Sequence, residues 1–380
     1  MQLIIEREAL LKELSRVAGV VESRTTIPIL AHIRLDAVAE HLLIRGTDLD
    51  IEIEAPCAAD VSAQGVTTVE AKTFAAIVKK MPEGAQIGLT LDDARHRLKI
   101  VAGRVRFELP VLDAEDFPSL DRGGGGHEFT LDAGELRQLI APTIFAVSRD
   151  ETRYMLNGVF FHQIGEELAA CATNGHQLAR RKGVPLPAGA DGMPSVILPR
   201  KLVGELLRSL PGEGEIALEV SPQRIVVTSG EMRIVSKLID GTYPDYNRVV
   251  PKGHPSGLRI NRERLIKAVE RVRVVAGDKE TAVNLIVKAD ALHLACRSPE
   301  RGTAFDECEA VLGPTAEKTT IGVNGGYLLD ILASFEAEEI GIDYADPSAP
   351  LLIKVIGSED QICVLMPMRT ADIIEERVAA

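Results

Sequence analysis

Nowhere in the 380 residues do 18 apolar side chains follow one another, so no membrane-spanning helix is expected. No charged-then-apolar leader opens the chain, which argues against secretion. Cysteine is scarce. Cys57, Cys171, Cys296, Cys308 and Cys363 are scattered, odd in number and free of any C-x-x-C pair. That pattern argues against a disulfide framework or a zinc site and for a reducing compartment such as the cytoplasm. Each cysteine is expected to be a small buried hydrophobe. Positive charge is also short, with 43 Lys and Arg against 56 Asp and Glu and a net charge of -13, which taken alone counts against a nucleic-acid partner. No Ser-His-Asp order, H-E-x-x-H or phosphate-loop pattern points to catalysis, so no catalytic residue, cofactor or metal is expected. The run Gly123 to Gly126 has no strand-to-helix context and reads as a linker.

What is present is repetition. Glu6 to Val21, Asp132 to Ser148 and Asn261 to Val275 open with the same apolar spacing, which predicts three amphipathic helices. Leu10, Leu136 and Leu265 align at offsets of 126 and 129 residues. A second helical pattern begins at Ala71, Pro199 and Asn324, and aligning Phe74, Leu202 and Tyr327 gives offsets of 128 and 125. Two landmarks thus agree on a unit near one third of the chain, too long for a solenoid repeat. Alternating stretches broken by turn residues fill the gaps and read as antiparallel hairpins and meanders. The expected fold is α+β with three repeated domains, 1–125, 126–253 and 254–369, each with two helices packed on antiparallel sheets, and a tail, 370–380.

Charge is segregated along the same pattern. The six helical segments together carry 16 basic and 10 acidic side chains, a surplus of +6 that leaves -19 on everything else. A lone basic helix face is usually just solvated surface, but here three segments are net basic, two are balanced, and only the last, with Asp330 as its single charge, is net acidic. A molecule acidic outside and basic on its helices can hold DNA against the helices and stay soluble elsewhere.

Specific stretches then carry a resemblance. RTTIPIL from Arg24, GTDLDIEI from Gly46, RYMLNGVFF from Arg153, ATNGHQLA from Ala172, PRK from Pro199, SKLIDGTYPDY from Ser236 and VLMPMR from Val364 occur in order. Over residues 1 to about 369 the chain resembles the bacterial DNA polymerase III beta subunit, the replication sliding clamp. The resemblance implies a non-catalytic processivity factor that encircles double-stranded DNA at a primer-template. It implies a head-to-tail homodimer forming a closed six-domain ring, with helices lining the pore and sheets on the rim. Geometry independently favours two chains. Six helices ~10 Å wide, set side by side, leave roughly 9 Å clear, whereas twelve leave roughly 28 Å, enough for a duplex whose major groove alone is ~12 Å wide.

The resemblance also assigns residues. DNA contacts fall to Arg24, Lys72, Arg149, Arg200 and Lys201, with Tyr154 placed to stack on a single-stranded base. A pocket for short peptides with hydrophobic anchors maps to Leu156, Thr173, Gly175, His176, Gln177, Leu178, Pro244, Arg248, Val249, Val364, Met366, Pro367, Met368 and Arg369. Leucine, valine and methionine suit an adaptable apolar cleft. Gln177 departs from the family, which often has arginine there. The implied partners are the polymerase alpha subunit, an ATP-driven clamp loader and other replication and repair proteins with a clamp-binding motif. The dimer joint maps to Arg104, Arg106, Phe107, Leu109, Val274 and Val275, with Glu300 and Asp306 as candidate acidic partners. The tail after Arg369, TADIIEERVAA, is a short amphipathic segment next to the pocket.

Two other readings compete. In a metal-dependent nuclease or phosphatase, Asp48, Asp50, Glu52 and Glu54 would project from one strand face, His176 acting as base. The second repeat opposes this, having Asn174 and His176 where the first has Asp48 and Asp50. In a protein scaffold that never touches DNA, the charge segregation would have no purpose.

Overall fold

Each repeat begins with a strand that runs straight into a helix, because alternating burial gives way within one residue to helical spacing. The computed structural model describes residues 1–22, 25–121, 124–252, 257–277, 282–288, 291–313 and 318–369. In the first repeat β1 (Gln2–Glu6) leads into α1 (Arg7–Val17), followed by β2 (His32–Val38), β3 (His41–Thr47), β4 (Ile51–Ala58), β5 (Asp60–Ala63) and β6 (Gly65–Glu70). Then come α2 (Ala71–Lys80), β7 (Gln86–Asp92), β8 (Arg97–Ala102) and β9 (Val105–Pro110). The second repeat runs β10 (His127–Asp132), α3 (Ala133–Ile140), β11 (Gly158–Ile164), β12 (Glu167–Thr173), β13 (Gln177–Pro185), β14 (Val196–Pro199), α4 (Arg200–Ser209), β15 (Glu215–Val220), β16 (Arg224–Ser229) and β17 (Met232–Lys237). The third runs β18 (Leu258–Asn261), α5 (Arg262–Arg273), β19 (Ala282–Val287), β20 (Ala291–Ser298), β21 (Gly302–Leu312), β22 (Thr320–Asn324), α6 (Gly325–Ala333), β23 (Glu339–Asp343), β24 (Leu351–Val355) and β25 (Gln361–Leu365). The α+β repeat expected from the sequence is therefore present three times, with six α-helices among the described residues.

The chain forms two compact units. One comprises Met1–Arg137, Pro187–Pro194 and Lys201–Leu238, the other Gln138–Leu186, Ser195–Arg200 and Ile239–Ala380. The second repeat is shared between them because its strands pair across repeat boundaries. In the first unit β4 of repeat one pairs antiparallel with β17 of repeat two, Ile51–Glu54 against Arg233–Ser236, giving the sheet β10-β15-β16-β17-β4-β3-β2-β6. In the second unit β13 of repeat two pairs with β25 of repeat three, Gln177–Arg181 against Gln361–Leu365, within a twelve-stranded sheet. A separate sheet, β5-β1-β7-β8-β9, completes the first unit.

The helices bury one face against the sheets. Leu10, Leu14 and Val17 of α1 and Phe74 and Val78 of α2 are inaccessible to solvent, as are Leu265, Ala268 and Val269 of α5. Close approach of α1 to β3 depends on Gly46, where a Cβ would lie 2.7 Å from Cγ1 of Val17. The Glu70 carboxylate caps α2, accepting from the Thr73 amide at 2.6 Å, and Asn261 and Asn324 cap α5 and α6 through their side-chain oxygens. The helix expected through Ser148 stops instead at Ile140. Pro142 can neither donate to the helical ladder nor fit beside the preceding carbonyl, and a 3₁₀ turn over Ile144–Ala146 replaces the last turns. All five cysteines are buried and none is in a disulfide, and burial pushes the Cys57 thiol up to about 11. Among the described residues no helix is long and apolar enough to cross a membrane.

Candidate functional site

The residues expected to form a peptide pocket all lie in the second unit, and one cluster organises most of them. Leu156, Leu178 and Val364 are buried together with Cys171, Ile197, Tyr243, Tyr246, Leu352 and Ile362. Leu178 and Val364 face each other across the joint of β13 and β25. Tyr243 and Tyr246 tie the segment carrying Pro244, Arg248 and Val249 to the same cluster. Phe160 stacks on Tyr243 at 4.7 Å, and the Tyr246 hydroxyl meets Nε2 of His162 at 2.9 Å. Burial holds His162 far below the usual imidazole range, at about 4, so the ring is neutral at pH 7.

The turn before β13 shapes the rim. The Asn174 carboxamide oxygen accepts from the amides of His176 and Gln177 at 2.9 and 3.0 Å, and the Thr173 hydroxyl donates to the Gln177 carbonyl at 2.8 Å. Gly175 holds a φ of +89°, and a side chain there would be strained and would meet Arg153. From the other strand, the Met366 amide donates to the His176 carbonyl at 2.9 Å and the Met368 amide to that of Gly322 at 2.8 Å. Pro367 bridges to Val323. Val249 is 48% exposed and Met366 and Met368 are each 38% exposed, so apolar side chains stay open to solvent above a packed base. Arg248 pairs with Asp245 at 3.2 Å, and Arg369 is exposed.

Gln177 behaves differently from its neighbours on the rim. Its side chain is buried, and Nε2 donates to the Phe145 carbonyl at 3.4 Å, so it braces the turn from within. Sequence reasoning missed Tyr327, whose ring stacks on His176 at 6.1 Å and an interplanar angle of 15°. Tyr327 had served only to align the repeats, and nothing in its local pattern separates a rim aromatic from a core one.

The candidate DNA contacts divide between the units. In the second, Arg149 is exposed, Tyr154 is 53% exposed, and Arg200 begins α4 with its amide donating to the Asn157 carbonyl at 3.2 Å. Burial and the positive charge of Arg149 both pull the Arg200 guanidinium below its ordinary value, so two like charges share one neighbourhood. Asp330 is pushed up by burial and opposed by Arg273 and Arg149. In the first unit Lys72 is exposed beside the N-terminus of α2. Lys201 is committed elsewhere: its ammonium donates to the Val20 carbonyl at 2.8 Å and to the Asp48 carboxylate. Arg24 lies outside the described residues.

The four carboxylates of the nuclease reading do not share a face. Asp48 and Asp50 precede β4 in a turn where Leu49 has a φ of 78°, and Glu52 is buried with Oε2 accepting from the Leu120 amide at 3.0 Å. Asp50 pairs with Lys237 at 3.1 Å and Glu54 with Arg45 at 2.7 Å, while Asp48 holds Lys201. Each is partnered separately, which removes the single-faced row of oxygens that the competing nuclease reading required.

Residues 1–121, 130–245 and 247–369 match, in order, the N-terminal, central and C-terminal domains of the DNA polymerase III beta subunit. The chain belongs to the DNA polymerase III beta subunit family. The beta sliding clamp of Caulobacter vibrioides is 41% identical over 374 residues, covering 97% of this chain and 100% of its own. Two solved relatives share the fold of this beta subunit family member at TM-scores of 0.92, each covering 97% of it. One is the Bartonella birtlesii sliding clamp bound to griselimycin, 38% identical with all of its own chain covered. The other is the Caulobacter crescentus beta sliding clamp with polyethylene glycol at a putative beta-motif tethering region, 40% identical with 99% covered.

Among the described residues of this family member, β9 is the last strand of its sheet, and Gly302–Glu309 of β21 pair with β20 on one side only. Phe107 is 40% exposed on β9, Leu109 is half-buried, and Arg104 and Arg106 are exposed. After α5, Val274 is 77% exposed and Val275 half-buried. On β21 Phe305 is 45% exposed, a residue the sequence reading passed over. Asp306, a candidate acidic partner for the joint, is already engaged by Arg271 at 2.6 Å, while Glu300 is exposed.

Proposed function

We propose that two copies of this chain join head to tail into a closed six-repeat ring that encircles duplex DNA and tethers a replicative polymerase, β9 of each copy pairing with the first half of β21 of the other. One observation carries this reading. At both repeat boundaries inside the chain, the last strand of one repeat pairs with the fourth strand of the repeat before it, β17 with β4 and β25 with β13. Among the described residues β9 and the first half of β21 are left without that partner, since β9 pairs with β8 alone and Gly302–Glu309 pair with β20 alone. A second chain supplies both missing partners and hides the unpaired backbone groups. Phe107 and Phe305, both exposed in the single chain, then meet within the joint together with Leu109, Val274 and Val275. Sedimentation equilibrium tests this: two chains per particle are expected at micromolar concentration, and one chain per particle overturns the ring.

Inside the ring, Lys72, Arg149 and Arg200 hold phosphates through bridging water, a contact that carries no sequence information and permits sliding. Tyr154 stacks on an unpaired base. The apolar rim around Val249, Met366 and Met368 takes short peptides with hydrophobic anchors from the polymerase alpha subunit, the clamp loader and repair proteins in the cytoplasm. Methionine fits this task because its unbranched side chain repacks around different partners. Griselimycin, the ligand in the Bartonella birtlesii clamp structure, is proposed to bind this chain at the same rim.

A further inference from the structure

We propose that Thr370–Ala380 is a tethered competitor that occupies the peptide rim of its own chain, so that each partner must displace it. The inference rests on the peptide-pocket reading above and adds its regulation. The family match ends at residue 369, and the Caulobacter vibrioides clamp is aligned over its full length within 97% of this chain. Eleven further residues, TADIIEERVAA, follow. They begin directly after the rim itself, where Met366 is fastened to His176 and Met368 to Gly322.

The segment has the chemistry the rim accepts. Ile373, Ile374 and Val378 supply branched apolar anchors within a stretch that is otherwise polar or small. Extended chain spans ~3.3 Å per residue, so Ile373 reaches roughly 13 Å from Arg369 and Val378 roughly 30 Å. That is ample for a turn back over Met366 and Val249, whose side chains are open to solvent. Charge also fits. Asp372, Glu375 and Glu376 outnumber Arg377 in the segment, while Arg153, Arg248 and Arg369 outnumber the rim carboxylates Asp150 and Asp245, each of which holds one arginine.

Tethering supplies the occupancy. A short flexible connection holds its end at an effective concentration of about 1–10 mM, so a segment of merely ~0.3 mM intrinsic affinity weakens a competing ligand by about three- to thirty-fold. The experiment is calorimetric titration with griselimycin of the full chain, a chain ending at Arg369, and a full-length Ile373→Asp/Ile374→Asp variant. Met366→Asp in the shortened chain reports whether the probe binds at the rim. Expected are affinities about three- to thirty-fold tighter for the shortened chain and the double variant than for the full chain, with weakening by Met366→Asp. Equal affinities for all three chains, with Met366→Asp still weakening binding, overturn the tethered competitor and leave the pocket standing. Failure of griselimycin to bind the shortened chain, or indifference to Met366→Asp, overturns both. A difference that grows with protein concentration places the segment on another copy and overturns the intramolecular form.

Discussion

His162 titrates far from solution behaviour, and the cause is local. Its ring is stacked against Phe160 at 4.3 Å and hydrogen-bonded to the hydroxyl of Tyr246, in surroundings that disfavour charge. The folded pKa, about 4, lies below the ordinary imidazole value of 6.5, so between these values the unfolded chain binds more protons than the folded one. Stability therefore rises with pH across that window and is lost as pH falls through it, by at most about 3 kcal/mol. His162→Gln is expected to flatten the denaturation free energy of the native chain between pH 4 and 6.5; an unchanged slope would assign the acid sensitivity elsewhere. Lys201 makes a second argument at this scale. It resembles Lys72 in sequence context, at the start of a helix in a basic segment, yet it holds an Asp48 side chain that is only 7% exposed. Lys201→Ala should cost about 1–3 kcal/mol in urea denaturation, because a nearly buried carboxylate loses its cation. Lys72→Ala should stay within ~0.5 kcal/mol and lower the salt dependence of DNA binding by about one counterion. Equal stability losses would refute the distinction.

Apolar periodicity located the helices to within a few residues, since burial of one face is what a helix needs and 3.6-residue spacing records it. It failed where a local rule overrode the period, at Pro142 in α3. Strand alternation was legible too, but which strand sits beside which was not. Pairing of β4 with β17 and of β13 with β25 depends on backbone groups that every residue carries, so side-chain pattern cannot announce it. The same gap hid Phe305, which reads as core in an alternating strand but is 45% exposed on the stretch of β21 that pairs with β20 on one side only. The resemblance to the family named His176, Leu178 and Met366 as candidates, and the structure brings them together in one unit, adding Tyr327 beside His176 and turning Gln177 inward. A heterologous joint has a signature of its own. Phe107→Asp and Phe305→Asp damage opposite edges, so each variant alone should sediment as a monomer. Mixed in equal amounts they should form dimers, because one intact β9 then meets one intact β21. Monomers in the mixture, or dimers of either variant alone, would rule out this pairing.

At the scale of the whole molecule, a net charge of -13 and a DNA partner are reconciled by position. The six helical segments carry a basic surplus while the rest of the chain is acidic, so in the proposed ring the helices can meet DNA while the acidic remainder keeps the particle soluble. A ring of this kind holds DNA by linkage, whatever the strength of any single phosphate contact. The most direct test loads the protein with a clamp loader and ATP onto nicked circular DNA, then follows retention before and after the circle is cut to linear form. Retention on circles with loss from the cut ends is the predicted result. Equal retention on circular and linear DNA would mean ordinary binding, and the encircling ring would be wrong.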